Sequence, residues 1–117
     1  MITIFENFND ISGKIIELND YLKDKYDVEL WLWWQKWAKV MIVSKIIVPK
    51  KLRNKGIGTK VMQEICDFAD ENKIKIGLTP TSDFGGSKKR LISFYKQFNF
   101  KKNKSYNFRE SLVRFPQ

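Results

Sequence analysis

Apolar residues along the chain recur at helical spacing, then alternate, then return to helical spacing. Ile2 to Phe5 is apolar apart from Thr3 and predicts a short first strand. Asp10 is suited to cap a helix. Ile11, Ile15, Leu18 and Leu22 then share one face of a helix expected from Ile11 to about Lys25. Lys14, Glu17, Asp20, Lys23 and Asp24 fill its charged face, and Gly13 weakens its first turns. Val28 to Trp34 is dense in strand formers. Leu30, Leu32 and Trp34 fall on one face of that strand, Trp31 and Trp33 on the other. With both faces apolar, the strand is expected to be covered on both sides. Gln35, Lys36 and Trp37 turn the chain into a second strand, Lys39 to Val48.

Pro49 cannot donate to a ladder and ends that strand. A basic glycine-containing loop follows, then the clearest helix in the chain. Ile57, Val61, Ile65 and Phe68 make its apolar stripe, with Met62, Cys66 and Ala69 beside it. Asn72 is a plausible C-cap. Cys66, at the edge of the stripe, reads as a buried inert thiol. Ile74 to Thr79 alternates briefly and stops at Pro80. A helix joins it to the previous strand, so it is expected to lie parallel to Lys45–Val48 by a right-handed crossover. Thr81 to Gly86 is a loop. Ser87 can cap a helix carrying Leu91, Phe94, Tyr95 and Phe98. Weak strand signals near Phe100–Phe108 and Ser111–Phe115 suggest a terminal hairpin. The order is strand, helix, strand pair, glycine loop, helix, parallel strand, loop, helix, strand pair. That is an α/β sandwich with a mixed sheet.

Composition narrows the chemistry. The chain has 117 residues, the size of a single domain, Met1 to Gln117. At 43% hydrophobic and 15% aromatic it can fill a core. Lysine and arginine exceed aspartate and glutamate by 22 − 13 = 9. That favours an anionic ligand, an acidic partner or nucleic acid. There is no histidine and one cysteine, which removes the usual Cys/His zinc sites and every Ser–His or Cys–His pair. A lone cysteine is compatible with a reducing cytosol, and a cytoplasmic location is expected. No secretory leader and no run of about 18 apolar residues is present, so no membrane span is expected. Four tryptophans between Trp31 and Trp37 invite an aromatic substrate wall or a dimer face. Core packing is the expectation for them.

The stretch with the most chemical content is Ile46-Ile47-Val48-Pro49-Lys50-Lys51-Leu52-Arg53-Asn54-Lys55-Gly56-Ile57-Gly58-Thr59. It reads as strand, basic loop, helix start. Glycines let the backbone approach a ligand. The helix start offers free N–H groups and a positive dipole end, which together favour a phosphate. An ordinary strand-to-helix turn would use the same residue types. A P-loop is excluded by the spacing around Gly56 and Gly58. A dinucleotide fingerprint is excluded because Val61 stands where its third glycine belongs.

What remains is Arg53-x-x-Gly56-x-Gly58. It resembles the Arg/Gln-x-x-Gly-x-Gly/Ala signature of the GNAT (GCN5-related N-acetyltransferase) family. The segment Leu91-Ile92-Ser93-Phe94-Tyr95-Lys96-Gln97-Phe98-Asn99-Phe100 resembles the family's second hallmark, an aromatic-Tyr pair followed by Gly-Phe. The two motifs and the elements between them cover Ile46 to Phe100. The Asp83-Phe84-Gly85-Gly86 loop and the ending Ser111-x-x-Arg114-x-Pro116 are similar to small GNAT proteins of phages and mobile elements.

The resemblance implies a mostly antiparallel mixed sheet with a splayed parallel strand pair and flanking helices. It implies an N-acetyltransferase moving an acetyl group from acetyl-CoA directly to a primary amine. Backbone groups of Ile46, Ile47 and Val48 would hold the pantetheine arm, and an N–H near Val48 would polarise the thioester carbonyl. Arg53 and the amides of Asn54, Lys55, Gly56, Ile57, Gly58 and Thr59 would hold the pyrophosphate. Tyr95 matches the tyrosine that protonates the departing thiolate. Asn99 replaces the usual glycine, and asparagine tolerates left-handed backbone angles. Lys88 stands where many members have a cofactor-contacting asparagine. Lys88, Lys89 and Arg90 are candidates for the 3′-phosphate of CoA or an acidic substrate, or a solvated basic face. Glu29 and Asp83 are the candidate general bases. No metal is implied. The acceptor is left open among a protein lysine, a protein N-terminus, a polyamine, a nucleotide and a small amine, and the assembly between monomer and homodimer. The alternative is a non-catalytic basic module that binds CoA, nucleic acid or a protein partner.

Overall fold

The computed structural model of the chain describes residues 2–81 and 87–117, the side chains of residues 2–10 excepted. The chain opens with a 25-residue helix, α1 (Ile2–Tyr26). The short first strand expected at Ile2–Phe5 is therefore corrected to helix. Periodicity explains it: Ile4, Phe8, Ile11, Ile15, Leu18 and Leu22 continue one stripe with alternating steps of four and three. Asp10 lies within the helix rather than at its start.

Two strands follow, β1 (Glu29–Gln35) and β2 (Val40–Ile47), paired antiparallel. A single 3₁₀ turn, Lys50–Leu52, leads to α2 (Ile57–Glu71), then β3 (Lys75–Leu78). Helix α3 (Lys88–Lys96) precedes the short strands β4 (Lys101–Lys102) and β5 (Leu112–Arg114). The sheet order is β1-β2-β3-β5-β4, with β2 and β3 the one parallel pair among the described strands. Asn72 caps α2, its side-chain amide donating to Phe68 O at 2.9 Å. Ser87 caps α3, its hydroxyl accepting from the Arg90 amide at 3.1 Å.

The terminal strands form the hairpin that the sequence predicts, but β4 is much shorter than Phe100–Phe108. Asn103 and Ser105 explain this. Their side-chain oxygens accept the amides of Ser105 and Asn107, offering the backbone local turns in place of a ladder.

The helices all pack on one face of the sheet. Ile15, Leu22, Val61, Met62, Ile65 and Tyr95 join Leu30, Leu32, Met41, Val43, Ile76 and Leu78 there in the main core. Fully buried residues such as Val61, Met62 and Ile65 each contribute about 1.5–3 kcal/mol. Glu64 of α2 accepts hydrogen bonds from Lys25, at 3.0 Å, and Tyr26 of α1, tying the two helices together. On the other face a smaller cluster holds Ala38, Val40, Ile42, Phe108 and Val113, with no helical residue in it. The open face continues over β1. Trp31 is 59% exposed, Trp33 36% and Trp37 96%. The expectation that both faces of this strand are covered, with the tryptophans in the core, is thus corrected. Of the four, Trp34 alone packs against the main core.

Candidate active site

The parallel ladder between β2 and β3 is short. It pairs Val40–Val43 with Lys75–Leu78 and then stops. Lys45–Val48, expected to lie beside β3, instead continues beyond it, paired through Ile47 with β1 alone. Ser44 is an extra residue there: Trp31 opposes Lys45, and the next residue, Leu32, opposes Val43. Such a bulge bends the strand and resets its alternation. Met41 and Val43 face the helices before it, Ile46 and Val48 after it. β2 therefore swings away from β3 while still presenting apolar side chains to the helical layer.

A cleft of about 490 Å³ opens where the strands part. Ile46, Ile47 and Val48 form one wall; Leu78, Thr79 and Thr81 form the other. Leu91, Phe94 and Tyr95 of α3 close it from the helical side, and Ser44 and Lys45 rim it. Ser44 Oγ accepts a hydrogen bond from Trp33 Nε1 at 2.7 Å, so the open face reaches the rim.

At one end stands the glycine loop. Asn54 and Gly56 both adopt left-handed angles, φ 65° and 75°, which turn the chain tightly into α2. The first intrahelical bond runs from the Lys60 amide to Gly56 O at 3.1 Å. Among the described residues the amides of Asn54 to Thr59 make no hydrogen bond. They are unpaired donors at the positive end of a 15-residue helix, an arrangement suited to a phosphate. Arg53 Nε donates to Val48 O at 3.0 Å, locking the strand end to the loop. Arg53 also lines the cleft, so one residue shapes the loop and brings positive charge to the site. Gly58 faces the cleft, and a Cβ there would touch Phe94 and Val48 at 3.9 Å, each an ordinary contact. An alanine fits there, whereas a bulky side chain at position 58 would extend into the cleft.

At the other end is Tyr95, 6% exposed and wedged edge-on between Phe94 and Phe100. Burial pushes its phenol above the ordinary tyrosine value. Its hydroxyl has no hydrogen-bond partner among the described residues, and the side chain lines the cleft. A protonated hydroxyl is thus held beside the cleft and left uncommitted. Asn99, in place of glycine, has φ 71°, the left-handed turn that its position requires.

The cleft gathers Ile46, Ile47, Val48, Arg53, Asn54, Gly58 and Tyr95 from the expected site. Lys55, Gly56, Ile57 and Thr59 belong to the same loop without lining the cleft. Lys88 lies elsewhere, in a groove on another side of α3. Arg90 takes the place at the cleft. Arg90, Leu91, Phe94 and Tyr95 fall at i, i+1, i+4 and i+5 on one helical stripe, a spacing the sequence itself carries. Glu29 is exposed and outside the cleft, its carboxylate 3.4 Å from Lys45 Nζ. Asp83 and its loop lie outside the described residues. No acidic side chain lines the cleft among the described residues. Burial pushes the Cys66 thiol up to about 11, far from a nucleophile's range. Among the described residues no group of three or more Cys, Asp or Glu could hold a metal ion, and no helix is long and apolar enough to cross a membrane.

No curated protein sequence matches the chain. Two solved structures share its fold. The crystal structure of the anti-CRISPR protein AcrVA5 is 20% identical, with a TM-score of 0.55 over 74% of this chain and 87% of that one. The structure of Ard1 from Thermoplasma volcanium is 13% identical, with a TM-score of 0.53 over 77% of this chain and 63% of that one. A family model described as "Acetyltransferase (GNAT) family" matches residues 19–100, which include the glycine loop, the parted strands and Tyr95. The chain belongs to the GNAT acetyltransferase family.

Proposed function

We propose that this protein is an acetyl-CoA-dependent N-acetyltransferase that moves the acetyl group directly to a primary amine. The cleft carries the reading, because it leads from the unpaired amides of Asn54–Thr59, past the freed edge of β2, to the Tyr95 hydroxyl. The amides and Arg53 suit a pyrophosphate. The edge of β2 beyond Val43 has no ladder partner on the β3 side and offers backbone groups to a pantetheine amide. Val48 O is taken by Arg53, which leaves the N–H of that residue as the group to polarise a carbonyl.

The chemistry needs no enzyme nucleophile. The amine nitrogen attacks the thioester carbon and sheds a proton to water, the carbon–sulfur bond breaks, and the sulfur takes the proton of Tyr95. Water restores that proton. The ammonium loses its proton before attack, either to water or to Asp83, which follows the cleft residue Thr81 by two positions in the chain. Glu29 is set aside as base, since its carboxylate stands outside the cleft beside Lys45.

The test is the thermal midpoint with and without acetyl-CoA, for the parent and for Gly58→Trp. A ligand bound only by the folded state adds about 2.7 kcal/mol at a hundred times its dissociation constant. A rise in the parent that is lost in the variant supports the cleft as the cofactor site. No rise at saturating acetyl-CoA overturns the reading. A rise without turnover of any amine leaves a cofactor-binding module in its place.

A further inference from the structure

Helix α3 divides two depressions. On one side lies the cleft. On another, Lys88, Ile92 and Lys96, spaced by four, line a larger groove of about 970 Å³. Its far wall is the edge strand β4 with β5, which adds Lys101 and Lys102. All four lysines are exposed, and among the described residues none has an acidic partner. No acidic side chain lines the groove among the described residues. Like charges set side by side without counter-charges repel, and an anion in the groove relieves that cost.

The groove also holds an aromatic ring. Phe115 is 44% exposed, with Lys101 Nζ 4.9 Å from its centre. Asn99, at the end of α3, brings a side-chain amide with no hydrogen bond among the described residues. Lysines for phosphates, an open ring for a base and a free amide make a surface that tracks a flexible polyanion.

We propose that the groove between α3 and the β4–β5 hairpin binds single-stranded nucleic acid, with a base stacked on Phe115. A duplex keeps its base faces stacked internally and offers none to the ring. An acidic peptide would meet the lysines and bring no base to stack on the exposed ring. The proposal does not depend on the acetyl-transfer reading, because the groove and the cleft lie on different sides of α3.

Fluorescence anisotropy with labelled oligo-dT and oligo-U of about 15 nucleotides, in salt from about 50 to 200 mM, tests it. The parent should bind one or both, more weakly as salt rises. K96A/K101A/K102A should flatten the log–log salt slope by about two, at roughly 0.7 per lost phosphate contact on a single strand. Phe115→Ala should weaken binding about tenfold, Phe115→Trp should restore it, and Phe115→Leu should not. Gly58→Trp should bind the oligonucleotides as the parent does, whatever its response to acetyl-CoA. An unchanged slope in the folded triple variant overturns the proposal. So does parental binding by both Phe115→Ala and Phe115→Leu. Binding of poly-glutamate without either oligonucleotide assigns the groove to an acidic peptide instead.

Discussion

Arg114 grips Asp70 through two parallel hydrogen bonds, Nη1 to Oδ1 at 2.7 Å and Nη2 to Oδ2 at 3.0 Å. Its Nε donates to Phe98 O at 2.7 Å, so β5, α2 and the end of α3 meet on one guanidinium. Arg114 is 5% exposed. Hydrogen bonds from Arg114 hold the Asp70 carboxyl below the ordinary carboxylate range, against the opposing effect of burial. A folded-state value below the unfolded one, about 3.9, gives stability that is present above that unfolded value. It is lost as pH falls through the folded value. Asp70→Asn should cost about 3 kcal/mol at neutral pH, because it strands a buried charge. Denaturant unfolding from neutral pH to below 4 should show a flatter acid limb in the variant.

The open face predicts an optical signature. Trp37 is 96% exposed and Trp31 59%, so tryptophan emission should lie at long wavelength and be quenched by acrylamide. Trp37→Phe should shift the remaining emission to the blue. Its stability should change by no more than about 0.5 kcal/mol, as for other surface substitutions.

Tyr95→Phe separates chemistry from binding. Loss of a general acid costs about 10²–10⁴ in rate. The acetyl-CoA thermal shift should survive, because the ring and its contacts with Phe94 and Phe100 remain. Burial raises the phenol value, so the hydroxyl keeps its proton through neutral pH. The rise of rate with pH should therefore follow the acceptor amine and move when a less basic amine is supplied.

Gly77 is tightly enclosed. A Cβ there would stand 2.9 Å from Phe108 Cε2 and 3.2 Å from Ile42 Cδ1. Gly77→Ala should cost about 1–3 kcal/mol by overpacking. Adding Phe108→Leu should recover part of that loss in chemical denaturation.

The elements were more legible than their surroundings. The stripe of α2, the caps Asn72 and Ser87, and the parallel strand after α2 could be read from spacing and local hydrogen-bonding chemistry. Alternation in β1 correctly grouped Trp31 with Trp33, but it does not say whether a second layer covers them. The helices took one face, and a few residues of β2, β5 and their loops were left for the other. The loop and Tyr95 carry motifs, and the fold brings Arg53, Asn54, Gly58 and Tyr95 to one cleft. Lys88 shows where motif alignment fails. Two positions on a helix are 200° apart around its axis at 3.6 residues per turn, so Arg90 reaches the cleft while Lys88 looks into the groove.

The bulge at Ser44 makes β2 a strand of two parities. Odd-numbered residues face the helices up to Val43, even-numbered ones from Ile46 onward. Replacing Ser44 by another small residue leaves that count intact. Removing it also keeps Ile46 and Val48 on the helical side, since they then stand two and four positions past Val43, but it takes out the bulge and with it the bend that carries β2 away from β3. The extra residue therefore serves the cleft and not the core. A chain shortened by one at position 44 should still fold, with the gap between the two parallel strands narrowed and acetyl-CoA binding lost.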